Sequence, residues 1–321
     1  MINYFTDGGF GDAVSFIGIM VAFFLTCFFM VKCSGMLPKD AGRAYAHDGK
    51  LSAGKPRGAG FIFVLVFIGA GLLFGEISRE NIIYIVLTAA AMMTGFLDDC
   101  SKTPWGEYKK GLLDLLIAVM VAVTFLNFNT NDVYLATLNQ TVTIPPLVFG
   151  VLAVVLVWVS INVTNCSDGV DGLSGTLTII TLLTLYVIDR LAAADTSFEY
   201  LLLIFVACIL GYLWFNATPS MLMMGDAGSR AMGLFIAIAA LKTGSPFLYL
   251  LVALVLILDG GLGLIKVALL RFLKIKILAN TRTPLHDHVR KVWNWSNTQA
   301  VYRFAIVQIV ISVAVVYLYI L

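Results

Sequence analysis

Residues 146–163 read PLVFGVLAVVLVWVSINV, eighteen positions without a charge, and the chain then runs straight into Thr164-Asn165-Cys166-Ser167-Asp168-Gly169-Val170-Asp171-Gly172. An uncharged apolar run of about 17–25 residues is what an α-helix needs to cross a hydrocarbon core. A loop with two carboxylates and no Lys or Arg, set at the end of such a run, is a costly way to make a mere connector. The stretch therefore sets two expectations together: a membrane-spanning helix and a polar site at its end, in contact with metal or nucleotide.

Working outward, similar apolar runs lie near 13–31, 59–75, 81–97, 111–126, 173–188, 200–216, 229–242, 247–270 and 301–321, which makes ten candidate spans in all. Composition agrees, because 321 residues with 60% hydrophobic and 12% charged content lack the polar surface of a soluble protein. A formal net charge of +2 provides no basic stripe, so no nucleic-acid partner is expected. The fold class expected is an all-α polytopic membrane protein, a single integral membrane domain over residues 1–321 in contact with the lipid bilayer.

Orientation follows from the basic residues. Of the 21 Lys and Arg, only Arg79, Arg190 and Lys242 fall on one side, and the other eighteen fall on the opposite side. Basic loops remain cytoplasmic, so the loops after spans 1, 3, 5, 7 and 9 are expected inside and both termini outside. Asp7 and Asp12 stand where a cleavable signal carries basic residues, so the first run is expected to be a retained anchor. None of the five cysteines falls in an outer loop, and no structural disulfide is expected. The outer connection 127–145, with its Val-Thr-Ile-Pro-Pro run from Val142, is expected to pair as a small hairpin.

The inner loops carry the chemistry. The first ends in Gly54-Lys55-Pro56-Arg57-Gly58-Ala59-Gly60, where free backbone amides beside basic side chains suit a phosphate; the bland reading is a basic anchor with a flexible turn. The second opens with Gly95-Phe96-Leu97-Asp98-Asp99, followed by Lys102, Lys109 and Lys110. Adjacent carboxylates at a helix end repel each other and oppose the helix dipole. A hard divalent cation relieves that repulsion, with Mg²⁺ the best fit, and the lysines are placed to neutralise phosphate oxygens. The fourth, from Asn216 to Met224-Gly225-Asp226-Ala227-Gly228-Ser229, offers one carboxylate at a helix start, either a cap or a third metal ligand. The fifth holds Pro284-Leu285-His286-Asp287-His288, suited to proton transfer, phosphate contact or metal, though zinc is not expected without a cysteine or a third histidine.

A secondary transporter is the rival reading. It would draw on Asp114, Asp259 and Lys266 inside the spans. The polar clusters sit instead at span ends on one face, so these three are read as interhelical pairs or snorkelling groups.

The ordered segments Gly95-Phe96-Leu97-Asp98-Asp99-x-x-Lys102, Asn165-x-x-Asp168-Gly169-x-Asp171-Gly172, Met224-Gly225-Asp226-x-Gly228-Ser229 and Pro284-Leu285-His286-x-His288 resemble those of the polyprenyl-phosphate N-acetylhexosamine-1-phosphate transferases, most closely the muramoyl-pentapeptide branch. The resemblance covers essentially the whole chain. It implies a bacterial cytoplasmic-membrane enzyme in which undecaprenyl phosphate attacks UDP-N-acetylmuramoyl-pentapeptide and releases UMP; the alternative branch uses UDP-N-acetylglucosamine. It further implies Mg²⁺ held by Asp98, Asp99 and Asp226, with Lys102, His286 and His288 completing the catalytic set. Asn165, Asp168, Asp171, Asn216, Lys55 and Lys110 are expected to bind substrate, Asp171 near the uracil. Both imidazoles are expected to face the diphosphate. Ser52 stands where the family has a lysine, a role assigned here to Lys55; Met223 replaces an aromatic and Asp287 a middle histidine. A homodimer is implied as well.

Overall fold

A buried polar tie explains why the apolar run at 247–270 is not one straight helix. It is broken at Ala253, and its halves, Pro246–Val252 and Leu254–Leu273, diverge by 66°. A break inside a membrane helix strands backbone groups that water cannot reach. Here Gln308 satisfies them from the last helix: its Oε1 accepts from Val255 N–H at 3.0 Å and its Nε2 donates to the Val252 carbonyl at 2.8 Å. Thr181 Oγ1 donates to the same carbonyl at 2.9 Å. The second half contains two wide π-type turns, Ile257–Gly261 and Leu269–Leu273.

The structure is a computed structural model that describes residues 11–42, 52–101, 103–192 and 196–320. In chain order the main helices are α1 (Gly11–Cys33), α2 (Gly60–Phe74), α3 (Arg79–Asp99) and α4 (Glu107–Phe128). A hairpin of β1 (Asp132–Leu135) and β2 (Gln140–Thr143) follows, antiparallel with Asp132 opposite Thr143, as the sequence predicts for this connection. Then come α5 (Pro146–Cys166), α6 (Leu173–Ala192), α7 (Thr196–Asn216) and α8 (Gly225–Lys242). The bent pair is α9, and α10 (Leu285–Lys291) and α11 (Asn297–Ile320) complete the chain.

Each of the ten expected runs coincides with one of these helices or with the bent pair, and most of them pass a test of length and apolarity for crossing a bilayer. Among the described residues, seven helices are long and apolar enough to cross a membrane, or eight if α9 counts as one span. The two that do not qualify have evident reasons. α2 has only fifteen residues, and α8 carries Asp226, Arg230 and Lys242 on a helix buried along most of its length. The outward faces are apolar: on α11, Ile306, Val310, Val313 and Tyr317 are all exposed. That surface suits lipid rather than water, and the protein is an integral membrane protein.

α8 is the axis of the packing, enclosed by α2, α3, α5 and α6. Small residues permit this. A Cβ on Gly60 would collide with the backbone of Gly228, and one on Gly95 with the backbone of Asp226. Close approach of backbones through small residues is how membrane helices gain packing energy where no hydrophobic drive exists between them. The Gly95 crossing also decides the chemistry, because it places the end of α3 beside the start of α8. At the far end of α8, Lys242 donates to Glu80 of α3 at 3.0 Å and to Asn129 after α4 at 2.8 Å, a tie that joins α8 to α3 and to the end of α4.

Candidate active site

Asp98 and Asp99 close α3, and Asp226 is the second residue of α8. With Gly95 in contact with the Asp226 backbone, the three carboxylates lie in one cluster and basic side chains come between them. Lys110 of α4 bridges Asp98 and Asp226, donating to Asp226 Oδ2 at 3.1 Å and touching Asp98 Oδ2. Asp98 Oδ1 accepts the Trp105 N–H at 2.7 Å. Arg57 Nη2 stands 2.9 Å from Asp99 Oδ1 and 3.7 Å from Asp226 Oδ1, and its Nη1 is 3.8 Å from Asp40. From within α8, Arg230 Nε lies 3.7 Å from Asp226 Oδ2 while its Nη1 donates to Asp114.

Arg57 reaches the cluster because its segment is laced between two others. Arg57 N–H donates to the Pro38 carbonyl at 2.8 Å, Asp40 N–H to Lys55 at 2.9 Å, and Met223 N–H to Pro56 at 2.9 Å. Three short extended pieces, two from the connection between α1 and α2 and one preceding α8, thus hold the guanidinium in place. Gly58 and Gly225, both at positive φ, complete the turns. A side chain on Gly225 would strike Asp99 Oδ2 as well as straining the backbone.

The charges do not cancel. Among the described residues, Asp40, Asp98, Asp99, Asp114 and Asp226 meet Arg57, Lys110 and Arg230, five carboxylates against three cations, an excess of two negative charges. Oδ1 of Asp99 is buried and takes no well-aligned hydrogen bond. This is the donor chemistry a hard divalent cation seeks. Among the described residues no three His, Cys, Asp or Glu side chains converge as a ready-made metal cage, because Lys110 and Arg57 occupy the space between the carboxylates. The residues fit Mg²⁺ in ligand type and charge, with basic groups that must give way.

Beside the cluster opens a cleft of about 690 Å³, a size typical of small-molecule sites. Asp226, Lys55, Asn165, Asp168, Asp171 and Asn216 all line it, and so does His286. Asn216 shapes one wall, accepting the Gly172 N–H at 2.8 Å and donating to the Leu222 carbonyl at 2.8 Å. Lys55 Nζ is 3.0 Å from Ser220 Oγ and 4.0 Å from Asp171. Asn165 donates to Ser229 Oγ at 2.8 Å, which ties the third loop to α8.

The two histidines part company. His286 is buried at the cleft, its backbone N–H 2.7 Å from Asp259 Oδ1 and its Nδ1 2.8 Å from Asp259 Oδ2. Asp259 sits in the first π-type turn of α9, so the expectation of an ordinary interhelical pair is met in a consequential place: it orients a site residue. His288 is not a lining residue. Its Nδ1 accepts the Arg282 N–H at 3.2 Å and its ring packs edge-on against Trp293. One helical turn cannot aim side chains two residues apart at the same point, so of the two imidazoles expected to face the diphosphate only that of His286 lines the cleft among the described residues. Lys266 donates to the Leu278 and Thr281 carbonyls at 3.0 and 2.8 Å. Lys102 lies outside the described residues.

Arg230 and Arg290 are what sequence reasoning missed, and it reads Arg57 only as part of a phosphate-suited loop. The buried Arg290 joins the loops, its Nε donating to the His286 carbonyl at 3.2 Å and its Nη2 to Asp287 at 2.8 Å and the Gly169 carbonyl at 3.3 Å. Asp287 is held below the usual carboxylate range: burial pushes it up, but the Lys291 hydrogen bond, His286 and Arg290 outweigh it. A lone arginine in the apolar run 229–242 opposite a lone aspartate in 111–126 was the available signal for Arg230.

Residues 81–244 match the model of a family described as glycosyl transferase family 4. Over 310 residues the chain is 40% identical to a phospho-N-acetylmuramoyl-pentapeptide-transferase of Treponema pallidum (strain Nichols), which covers 91% of this chain and 85% of that protein. Proteins of the same name from Symbiobacterium thermophilum and Helicobacter hepaticus are 30% and 26% identical, covering 78% and 97% of this chain and 78% and 95% of their own lengths. The matched family segment contains all three clustered carboxylates and Asn165, Asp168, Asp171 and Asn216.

Proposed function

The chain belongs to glycosyl transferase family 4, among the phospho-N-acetylmuramoyl-pentapeptide-transferases, and from that premise we propose that it transfers phospho-N-acetylmuramoyl-pentapeptide from its UDP conjugate to undecaprenyl phosphate. The acceptor phosphate oxygen forms a bond to the sugar-linked phosphorus as the bond to UMP breaks. The observation that carries this reading is the cluster of Asp98, Asp99 and Asp226 with Lys110 and Arg57 at the edge of a nucleotide-sized cleft.

The acceptor phosphate is already ionised near neutral pH, so the demand is charge neutralisation and in-line positioning rather than deep proton abstraction. Lys110 and Arg57 are placed to turn from the carboxylates toward phosphate oxygens. Asp226, with Asp99 and Asp98, would hold Mg²⁺, which when bound neutralises diphosphate oxygens and supports UMP departure. The excess of two negative charges among the described residues of the cluster supports that role. His286, fixed by Asp259, serves as a hydrogen-bonding contact at the cleft, and Asn165, Asp168, Asp171, Asn216 and Lys55 form the donor's bed.

A soluble nucleotide and a lipid phosphate meet only at a membrane interface. The basic bias of the loops that build the cleft supports a cytoplasmic placement in a bacterial inner membrane, with ten crossings, α2 and α8 included, and both termini outside. A homodimer follows from the family resemblance. Purified protein supplied with undecaprenyl phosphate, Mg²⁺ and either UDP-N-acetylmuramoyl-pentapeptide or UDP-N-acetylglucosamine tests the reading through UMP release. Clear preference for the first donor is expected; equal release from both removes the muramoyl assignment and leaves the phosphosugar-transferase class standing.

A further inference from the structure

α4 and α8 carry matched charge pairs. Lys110 and Asp114 are four residues apart on α4, Asp226 and Arg230 four apart on α8, and residues so spaced share a helix face. Across the helices, Lys110 meets Asp226 and Arg230 meets Asp114, so two ion pairs of opposite sense form a two-rung ladder. The upper rung borders the cleft. The lower is deeply buried, with Asp114 fully enclosed and Arg230 4% exposed, and Asn162 of α5 reaches Asp114 Oδ2 at 3.5 Å.

A buried ion pair is poor value as glue, since well-packed apolar residues hold helices equally well or better. The unused geometry of Arg230 gives the rung another role. Its Nη1 is committed to Asp114, while its Nε, buried and without a hydrogen bond, lies 3.7 Å from Asp226 Oδ2, the oxygen that also receives Lys110. We infer that Arg230, oriented by Asp114, is a positioning residue for Asp226: it fixes the carboxylate's rotamer and balances its charge from the membrane side, leaving Lys110 free to leave it for substrate. The inference rests on the proposed role of Asp226.

Two double variants separate positioning from simple helix–helix attachment. Asp114→Leu/Arg230→Leu replaces the rung by apolar packing, and Asp114→Arg/Arg230→Asp keeps an interhelical ion pair but sets a carboxylate beside Asp226. Both are expected to melt within a few degrees of wild type in detergent and to keep the nucleotide-sugar KM within about two-fold, while kcat falls about ten-fold or more, a loss of about 1.4 kcal/mol of transition-state stabilisation. Arg230→Lys should recover a large part of kcat. Binding is read separately by Mn²⁺ titration followed by electron paramagnetic resonance, where the reversed pair should tighten Mn²⁺ about three-fold or more because a positive neighbour has become negative. Wild-type kcat with unchanged Mn²⁺ affinity in the reversed pair overturns the inference. A wild type that turns over neither UDP-sugar defeats the functional reading instead, and the Mn²⁺ titration then decides the positioning claim alone; if wild type binds no Mn²⁺, the kcat comparison decides it.

Discussion

Replacing Asp259 by Asn isolates what the π-type turn of α9 contributes to chemistry. The native carboxylate is fully buried and holds one residue at two points, taking the His286 backbone N–H at 2.7 Å on Oδ1 and facing Nδ1 with both oxygens, Oδ2 at 2.8 Å and Oδ1 at 3.1 Å. Asparagine retains an oxygen for the backbone N–H, so α10 keeps its docking. At the other position an amide N–H₂ now faces Nδ1, which must become an acceptor, and the ring proton moves to Nε2. A hydrogen bond to a charged group contributes about 1.5–3 kcal/mol, and each 1.36 kcal/mol is ten-fold in rate, so loss in the transition state predicts a kcat lower by roughly ten- to a hundred-fold. The melting temperature should move little beside Asp259→Leu, which leaves the buried N–H and the ring both unpaired. UMP release under saturating donor gives kcat, and ¹⁵N chemical shifts of labelled histidine report the tautomer. An Asp259→Asn protein with an inverted His286 tautomer and wild-type kcat would refute the argument that this ring is used in the oriented form.

The remaining expectations are shorter. His286→Ala should reduce turnover at least ten-fold and His288→Ala less than three-fold, measured side by side, because only the first ring borders the cleft. Asp226→Asn should abolish transfer and weaken Mg²⁺ dependence, whereas Asp132→Asn, whose carboxylate only accepts Thr143 Oγ1 in the hairpin, should leave both unchanged; normal turnover by a folded Asp226→Asn removes it from the site. Gly95→Ala places a methyl group against the Asp226 backbone, where neither helix can yield as a side chain would, so a melting temperature lower by several degrees and turnover below a tenth of wild type are expected. Single cysteines at 285 and 135 in a cysteine-free background should label from opposite membrane faces; labelling from the same face overturns the proposed orientation.

Much of the architecture was legible from residue order because a bilayer imposes a simple test. Backbone groups in hydrocarbon must bond internally, so runs such as 146–163 have one solution, and their limits match α5 and its neighbours within a few residues. The carboxylate loops were legible for a related reason: acidic groups at the ends of apolar helices cost free energy unless they are used, and that cost is visible without coordinates. The sequence therefore determined the fold class, the helical segments, and Asp98, Asp99, Asp168, Asp171 and Asp226 as site candidates. It did not determine which cation meets which carboxylate. Arg57 sits in a loop that reads as a phosphate contact or a basic anchor, Arg230 and Arg290 read as a lone intramembrane charge and a basic loop residue, and only the Gly95 and Gly60 crossings, which set the depth and rotation of α8 against α3 and α2, bring Asp226 within reach of Arg57 and Lys110. Likewise, the break in α9 depends on Gln308 from α11, fifty-three residues beyond the Val255 amide it caps, and the separation of His286 from His288 depends on where Asp259 lands. Local sequence records the cost of a buried polar group; its partner is chosen by helix packing, which is a property of the whole chain.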